Sequence, residues 1–506
     1  MFIGAGAHVH PPCGIAGGCV QPVPRASFRD RWLRLLVPAL AWHAASMLAP
    51  AYAAGAPANV AHHESLFVRD PAPSTYAPGP RTDTLIVGAT VLDGAGGSRV
   101  ADVLMRDGRI VAYAPQLERT SGVTIVDAAG RWLTPGLIDI HTHDGTFAVP
   151  QTSDHGPDDV TERSSSNVSD TWIEHAVRPV APAFARALAG GVTALQILPG
   201  SQQIFDGRSV VVKPVRAVTV QQMKFPGAPG GLKLACGENP KNDNGQLPTS
   251  RMGIVANMRH EFAEAQEYGE KLEAEAREDH PRDGGRHPPG PHRRLEREPE
   301  LDSLAAVLRG ELQVHVHCYR ADDIAVLLNV AHEFGFRIAA VHHATEAYKV
   351  AGLLRDAGTC AAVWPDWWGF KHEAEDAIPE NAAFVDAAGG CAIMHSDIPV
   401  LGDRLNMEAA KAAAAGRRAG LEIPPERAIR WITSNAARAL GLEDRIGTIA
   451  PGMNADVVIW SGDPFSVYSK ADQVYIDGSR AYDRLDPARD TRSDFELGRP
   501  AAEVPP

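Results

Sequence analysis

The sequence predicts an α/β chain in which a (β/α)8 TIM barrel carries a small composite β-sandwich formed from both chain ends. Three observations lead there. Short apolar strands alternate with helical stretches through the middle of the chain, as in FARALA before GVTALQILP and ADDIAVLLNVAHEFG before FRIAAVHHA; this is the rhythm of βα units and a parallel sheet. Strand-rich segments stand at both ends, DTLIVGATVLDG and ADVLMRDGRIVAYAP early, ADVVIW and QVYIDGSRAY late, and two such distant sets are expected to share one small sheet. No glycine-rich dinucleotide fingerprint follows the first strand, which favours a closed barrel over an open doubly wound sheet.

The elements follow in order. Residues 1–54 read as a leader: Arg25, Arg29, Arg31 and Arg34 precede an apolar run from Leu35 to Leu48, and Ala51-Tyr52-Ala53 fits the small-x-small cleavage rule, giving a mature start near Ala54. The stretch before the arginines is long for a leader, as a true translation start within it would explain. An uncleaved interfacial anchor is the competing reading; no later segment is long and apolar enough to span a bilayer. Export to the periplasm or medium is therefore expected. Residues 80–134 form the first part of the β-sandwich, with Asp107-Gly108 as a tight hairpin turn; residues 444–484 form its second part, with the same signal at Asp477-Gly478. The barrel takes 135–443. A charged, Pro- and Gly-rich stretch at 264–300 interrupts it, read as a solvated helix and a mobile loop whose His280, His287 and His292 are surface residues. Residues 485–506 are a polar, frayed tail.

Composition limits the function classes. With 506 residues, 44% hydrophobic and 22% charged, the chain fits a large catalytic domain plus a smaller companion. A formal net charge of -13 repels phosphate backbones and argues against nucleic acid as a partner. Cys13 and Cys19 fall in the leader, and Cys236, Cys318, Cys360 and Cys391 are widely spaced in apolar, strand-like contexts. Export would permit a bridge, but buried free thiols are the expected state.

The chemistry gathers at strand ends. PGLIDIHTH (135–143) closes an apolar strand with His141 and His143, whose imidazoles share one face by the two-residue period. At the mouth of a barrel two neutral nitrogens can grip one divalent cation such as zinc. LQVHVHCYRADD (312–323) ends in His315 and His317, FRIAAVHHATE (336–346) in His342 and His343, and CAIMHSDIPV (391–400) in Asp397. Buried histidines bonded to backbone carbonyls would explain His315 or His342 singly, but not the whole set.

These residues resemble the amidohydrolase superfamily over most of the chain past the leader. Within it the imidazolonepropionase-like branch is the most similar, through LPGS (198–201), GLKLACGENPK (231–241), HVHCYRADDI (315–324), HATEAYKV (343–350) and TSNAARALGLEDRIGTIAPGMNADVVIW (433–460). The resemblance implies one or two divalent metals, zinc by expectation. It assigns His141 and His143 to the more buried metal, His317 and His343 to the second, and Asp397 to the first metal and to proton transfer. His317 is preferred to His315 as nearer the strand end. His343 is preferred to His342 because it opens the His-Ala-Thr-Glu run, and alternation lets only one of that adjacent pair point inward.

Two close cations call for a bridging anion. The resemblance implies two candidates, Lys233 after carboxylation by carbon dioxide and Glu238; parity places Lys233 with Ala235 and Gly237 on one face and favours it. The implied reaction is cleavage of an amide-type C–N bond in a small-molecule substrate (an N-acyl amino acid, dipeptide or cyclic amide) by a metal-bound hydroxide, with Asp397 passing a proton to the leaving nitrogen. Tyr319 and Arg320 are candidate substrate contacts. Arg320 could fork onto a carboxylate or pair with Asp322 or Asp323, and Tyr319 departs from the histidine expected in this branch. Trp364, Trp367 and Trp368 line a pocket or fill core. A deaminase or lactonase on the same fold, and a non-catalytic exported metal-binding protein, are the alternatives; self-association is left open.

Overall fold

Five strands come first: β1 (Thr84–Leu92), β2 (Ser98–Arg106), β3 (Arg109–Ala114), β4 (Thr124–Asp127) and β5 (Trp132–Pro135). Eight follow through the centre: β6 (Leu137–Thr142), β7 (Val192–Ile197), β8 (Phe205–Val212), β9 (Gly230–Ala235), β10 (Leu312–Cys318), β11 (Ile338–His343), β12 (Cys360–Val363) and β13 (Cys391–Met394). The last three are β14 (Val457–Trp460), β15 (Ala471–Ile476) and β16 (Ser479–Asp483). The computed structural model describes residue 67 and residues 70–147, 159–241, 248–279 and 296–486. The leader, His280, His287 and His292, and the tail beyond residue 486 lie outside the described residues.

Both chain ends build one sheet, in the order β16-β15-β14-β5-β1-β2-β3 with β4 alongside β1. The join is β14 against β5, antiparallel, with Val458 opposite Thr134. Asp107 and Gly108 turn β2 into β3 with φ of 49° and 78°, and Asp477 and Gly478 turn β15 into β16 with 46° and 74°. Positive φ at both central residues is what a two-residue turn needs to match the strand twist. Ile86, Val91, Val103, Leu133, Val457 and Ile459 form this sheet's own apolar core.

The second sheet runs β13-β12-β11-β10-β9-β8-β7-β6. Its ends meet in a parallel bridge between Thr142 and Asp397, where the Asp397 amide donates to the His141 carbonyl at 2.8 Å. The fold is thus a TIM barrel, its strands covered on both faces and therefore apolar almost throughout. One strand departs from the all-parallel expectation: β8 is antiparallel to β7 and to β9. The link from Ile197 to Phe205 is too short for the crossover of about a dozen residues that a parallel pair requires.

The charged stretch beginning at 264 is not wholly an insertion. Arg251–Asp279 is a single helix of 29 residues, and Ile254, Met258, Phe262, Ala265 and Tyr268 are buried in the main core. The expectation is corrected to a barrel helix whose far end becomes charged and solvated. Among the described residues, no helix is long and apolar enough to cross a membrane.

The cysteines correct a second expectation. They are not free thiols: Cys236 is bonded to Cys318 and Cys360 to Cys391. Separations of 82 and 31 residues hide this in the sequence, but barrel adjacency creates it, since Cys360 and Cys391 are register partners on β12 and β13 and Cys236 follows β9 where Cys318 ends β10. Closing loops of that size in the unfolded chain stabilises the fold by about 2–4 kcal/mol per bond. Replacing Cys360 and Cys391 together with serine should lower the urea midpoint accordingly; an unchanged midpoint would show that this bond does not constrain the unfolded chain.

The barrel and the sheet are tied by a buried charge cluster. Lys213, just past β8 and 1% exposed, places its Nζ 3.1 Å from Asp456 and 2.8 Å from Asp477. Tyr76 donates to Asp477 at 2.7 Å, and Asn454 donates to its other oxygen at 3.0 Å.

Candidate metal centre

The tips of β6, β10, β11 and β13 bring their polar residues to one end of the barrel. His141 closes β6 and His143 follows it; His317 lies at the end of β10 and His343 at that of β11; His395 and Asp397 follow β13. His141, His143 and Asp397 form a trio with one ligand atom each, all within 4.8 Å of one another; His141, His343 and His395 form a second trio by the same measure. His317 belongs to neither among the described residues. It stands one ring further out, 4.5 Å from His343 between centroids.

Local structure aims these groups. The Nδ1–H of His143 donates to the Leu198 carbonyl at 2.8 Å, which leaves the lone pair of a neutral ring on Nε2. That Nε2 is 3.5 Å from Asp397 Oδ1, and His141 Nε2 is 3.2 Å from the same oxygen. Asp139, fully buried, receives the backbone amides of His141 (3.1 Å) and Ser396 (3.3 Å), clamping together the two strand ends that carry the trio. Burial raises its pKa to about 7.

Backbone strain marks the same spots. His343 and Asp397 have φ of 69° and 64°, and Ala344 of 34°, a region that residues with a Cβ rarely occupy and that costs about 1–3 kcal/mol each. The kink at His343 overturns the parity expectation for its pair. His342 and His343 are both fully or almost fully buried and both project into the site, with ring centroids 4.7 Å and 4.8 Å from His141.

Electrostatics keep the rings neutral, the form that binds cations. Burial pushes His141 and His343 well below the ordinary imidazole value, helped next by the Lys233 charge at His141 and by the neighbouring His317 and His395 at His343, and burial lowers His395 to about 4. His141 Nε2, both ring nitrogens of His317 and of His395, and His343 Nδ1 are buried without a hydrogen-bond partner among the described residues. Unpaired polar atoms of this kind are costly. Each of these neutral rings offers one lone pair, and such lone pairs, converging with a carboxylate, fit a divalent cation.

Lys233, mid-strand on β9 and fully buried, donates to the Pro199 carbonyl at 3.1 Å and approaches Ser201 Oγ at 3.4 Å. Burial lowers its pKa, although Asp206 and Asp397 oppose the shift. The rival bridging residue is corrected: the Glu238 side chain is 41% exposed and is taken up by Lys241 (2.8 Å) and Arg251 (2.7 Å). Beyond the strand the loop is free to turn outward, which parity alone could not say. Arg320 is corrected as a substrate contact as well, because its guanidinium is engaged by Asp322 at 2.9 Å and 2.6 Å, two residues on.

The aromatic residues divide. Tyr319 is buried against His317 and His343, at 4.8 Å and 5.2 Å between centroids. Trp364 stacks on His343 at 4.4 Å, and Trp367 stacks on Trp364 at 4.7 Å. Trp368 is 70% exposed and points elsewhere. Lys371 places its Nζ 3.8 Å from the centre of the Tyr319 ring, 2.7 Å from Asn239 and 3.1 Å from Glu373.

Two site residues escaped sequence reasoning. His395 stands two places before Asp397 in CAIMHSDIPV, as His141 stands before His143, so a signal existed. Lys371 had none, since an irregular loop carries it to the mouth.

A solved amidohydrolase from Thermotoga maritima MSB8 superimposes with a TM-score of 0.69 at 32% identity, covering 79% of this chain and all of that one. The chain belongs to the amidohydrolase superfamily. The profile of the Amidohydrolase family matches residues 300–482 of this chain, and its imidazolonepropionase-like motifs are consistent with that match. Amidohydrolase tasK of Hapsidospora irregularis is 30% identical over 404 residues, which is 76% of this chain but only 40% of that protein. N-acyl-D-aspartate deacylase of Alcaligenes xylosoxydans xylosoxydans is 48% identical over 70 residues, 14% of each chain.

Proposed function

We propose that this amidohydrolase is a metal-dependent enzyme that hydrolyses an amide-type C–N bond in a small substrate, acting in an exported, oxidising compartment. One observation carries the reading: His141 Nε2, His143 Nε2 and a carboxylate oxygen of Asp397 converge, and the Leu198 carbonyl takes the Nδ1–H of His143, so that its Nε2 faces the same point. Zinc held by these residues, with His343, His395 and His317 beside them, would supply Lewis acidity that polarises a carbonyl and acidifies water near neutral pH.

The chain's own groups do the rest. Burial works against ionisation of Asp397, but its contact with His143 and the positive charge around it outweigh burial and hold it below the ordinary carboxylate range. It is therefore a carboxylate able to take a proton from water and hand it to the leaving nitrogen. The lowered Lys233 amine can add to carbon dioxide, releasing one proton and forming a carbamate anion among the histidines. Tyr319, Trp364 and Trp367 wall the site, and the Lys371 ammonium lies at its edge. Such a wall suits a substrate with an apolar side and an anionic end, as in N-acyl amino acids and dipeptides. Two disulfides and the leader-like pattern of residues 1–54 support export.

Lys233 as a donor to Pro199 favours a second reading, a single cation and an unmodified lysine, in which deamination or lactone opening would replace amide cleavage. Elemental analysis of the purified chain, with mass spectrometry of Lys233 under carbon dioxide, separates the two. The main test is a panel of N-acyl amino acids, dipeptides, cyclic imides and lactones with the zinc-loaded chain. Turnover abolished by a chelator and restored by zinc is expected; inactivity of the metal-replete chain on every member would sink the catalytic reading.

A further inference from the structure

Two histidines set aside in favour of their neighbours form a continuous buried chain with His141. His141 Nδ1 is 3.0 Å from His342 Nδ1, and His342 Nε2 is 3.0 Å from His315 Nδ1. All three residues have no solvent exposure. His315 and His342 come from adjacent strands, β10 and β11, and His315 is the register partner of Lys233 on β9. Among the described residues neither is bonded through its ring to a backbone carbonyl, the ordinary explanation for a buried histidine. Room for the His315 ring comes from Gly231: a Cβ there would sit 3.3 Å from His315 Cδ2 and collide with Ser209 Oγ.

We infer that His342 and His315 are positioning residues that fix the tautomer and orientation of His141, so that its Nε2 lone pair faces the cation site. The polarity of the chain follows from counting protons. A neutral imidazole has one N–H and one lone pair. If His141 offers the lone pair of Nε2, its proton is on Nδ1 and is donated to His342 Nδ1. His342 then carries its proton on Nε2 and donates it to His315 Nδ1. The His315 proton is on Nε2, an atom buried without a partner among the described residues. The reverse polarity would put a proton on His141 Nε2, where it would donate to Asp397, and is incompatible with a cation bound at that nitrogen. His143 gets the same service from the Leu198 carbonyl, so each histidine of the trio has its outer nitrogen directed by a second group. Partners of this kind are worth about 10- to 100-fold in metal affinity.

The inference rests on the metal-site reading above. Its test is zinc affinity, measured by competition with a chromophoric chelator, for the parent and for His342→Leu, His342→Gln and His315→Leu. The leucine at 342 removes both contacts and should weaken binding about 10- to 100-fold. The glutamine offers one acceptor and one donor in the same order and should restore most of it. In 15N spectra of the zinc-loaded chains, His141 should be ligated through Nε2 with its proton on Nδ1 in the parent, and the hydrogen-bond shift of that Nδ1–H should be lost in His342→Leu. Should His342→Leu not fold, His315→Leu carries the test, with a loss in the same direction. Equal affinity in parent and leucine variants, or a glutamine variant as weak as the leucine, overturns the relay alone. A parent chain that takes up no divalent cation overturns the metal-site reading and the relay with it.

Discussion

An Asp397→Asn variant should lose roughly 100- to 10,000-fold in kcat/KM while retaining zinc, the range expected when a positioned proton carrier is removed. The amide keeps one oxygen close to His141 and His143, at the position now 3.2 Å and 3.5 Å from them, so a neutral oxygen ligand remains. What disappears is the ability to accept and return a proton. Elemental analysis beside steady-state kinetics distinguishes the two roles. A fully active variant with intact metal would remove Asp397 from the reaction, whereas parallel loss of metal and activity would reduce it to a ligand.

The largest stability effect is expected at Lys213→Met. This change preserves much of the volume but leaves Asp456 and Asp477 facing each other without their cation; stripping one partner from a buried ion cluster costs about 3–5 kcal/mol. Asp456 is already raised above the usual carboxylate value by burial, with Lys213 opposing the rise, so removing the lysine pushes it further toward the neutral acid. Urea unfolding of the single variant and of Lys213→Met with Asp456→Asn measures the coupling. The double variant should recover part of the loss, because it no longer buries that charge. A single variant as stable as the parent would mean that the apolar contact between barrel and sheet suffices to hold them.

Much of the fold was legible because it rests on local pattern. The hairpin signals at Asp107-Gly108 and Asp477-Gly478 need only positive φ at two residues, and the apolar strands of the barrel announce themselves by burial on both faces. The reversed strand β8 was not legible, since FDGRSVVV reads the same in either direction and only the short link before it dictates antiparallel return. The disulfides were hidden for a related reason: no spacing along the chain reveals that Cys236 and Cys318, or Cys360 and Cys391, end on neighbouring strands.

The site divides along the same line. Residue type at strand ends pointed to His141, His143, His317, His343 and Asp397, and the barrel gathers them. Parity failed where the backbone leaves the extended region, at His343, and could not follow the chain past a strand, so Glu238 and Arg320 were misplaced and Lys371 was unseen. The sequence by itself determined which elements form and which ligand chemistry stands at their tips, because those are properties of short segments. Only the tertiary structure decided which nitrogen faces which oxygen, which histidine supports another and which cysteines meet, because these depend on strand order and on left-handed kinks that long-range packing imposes.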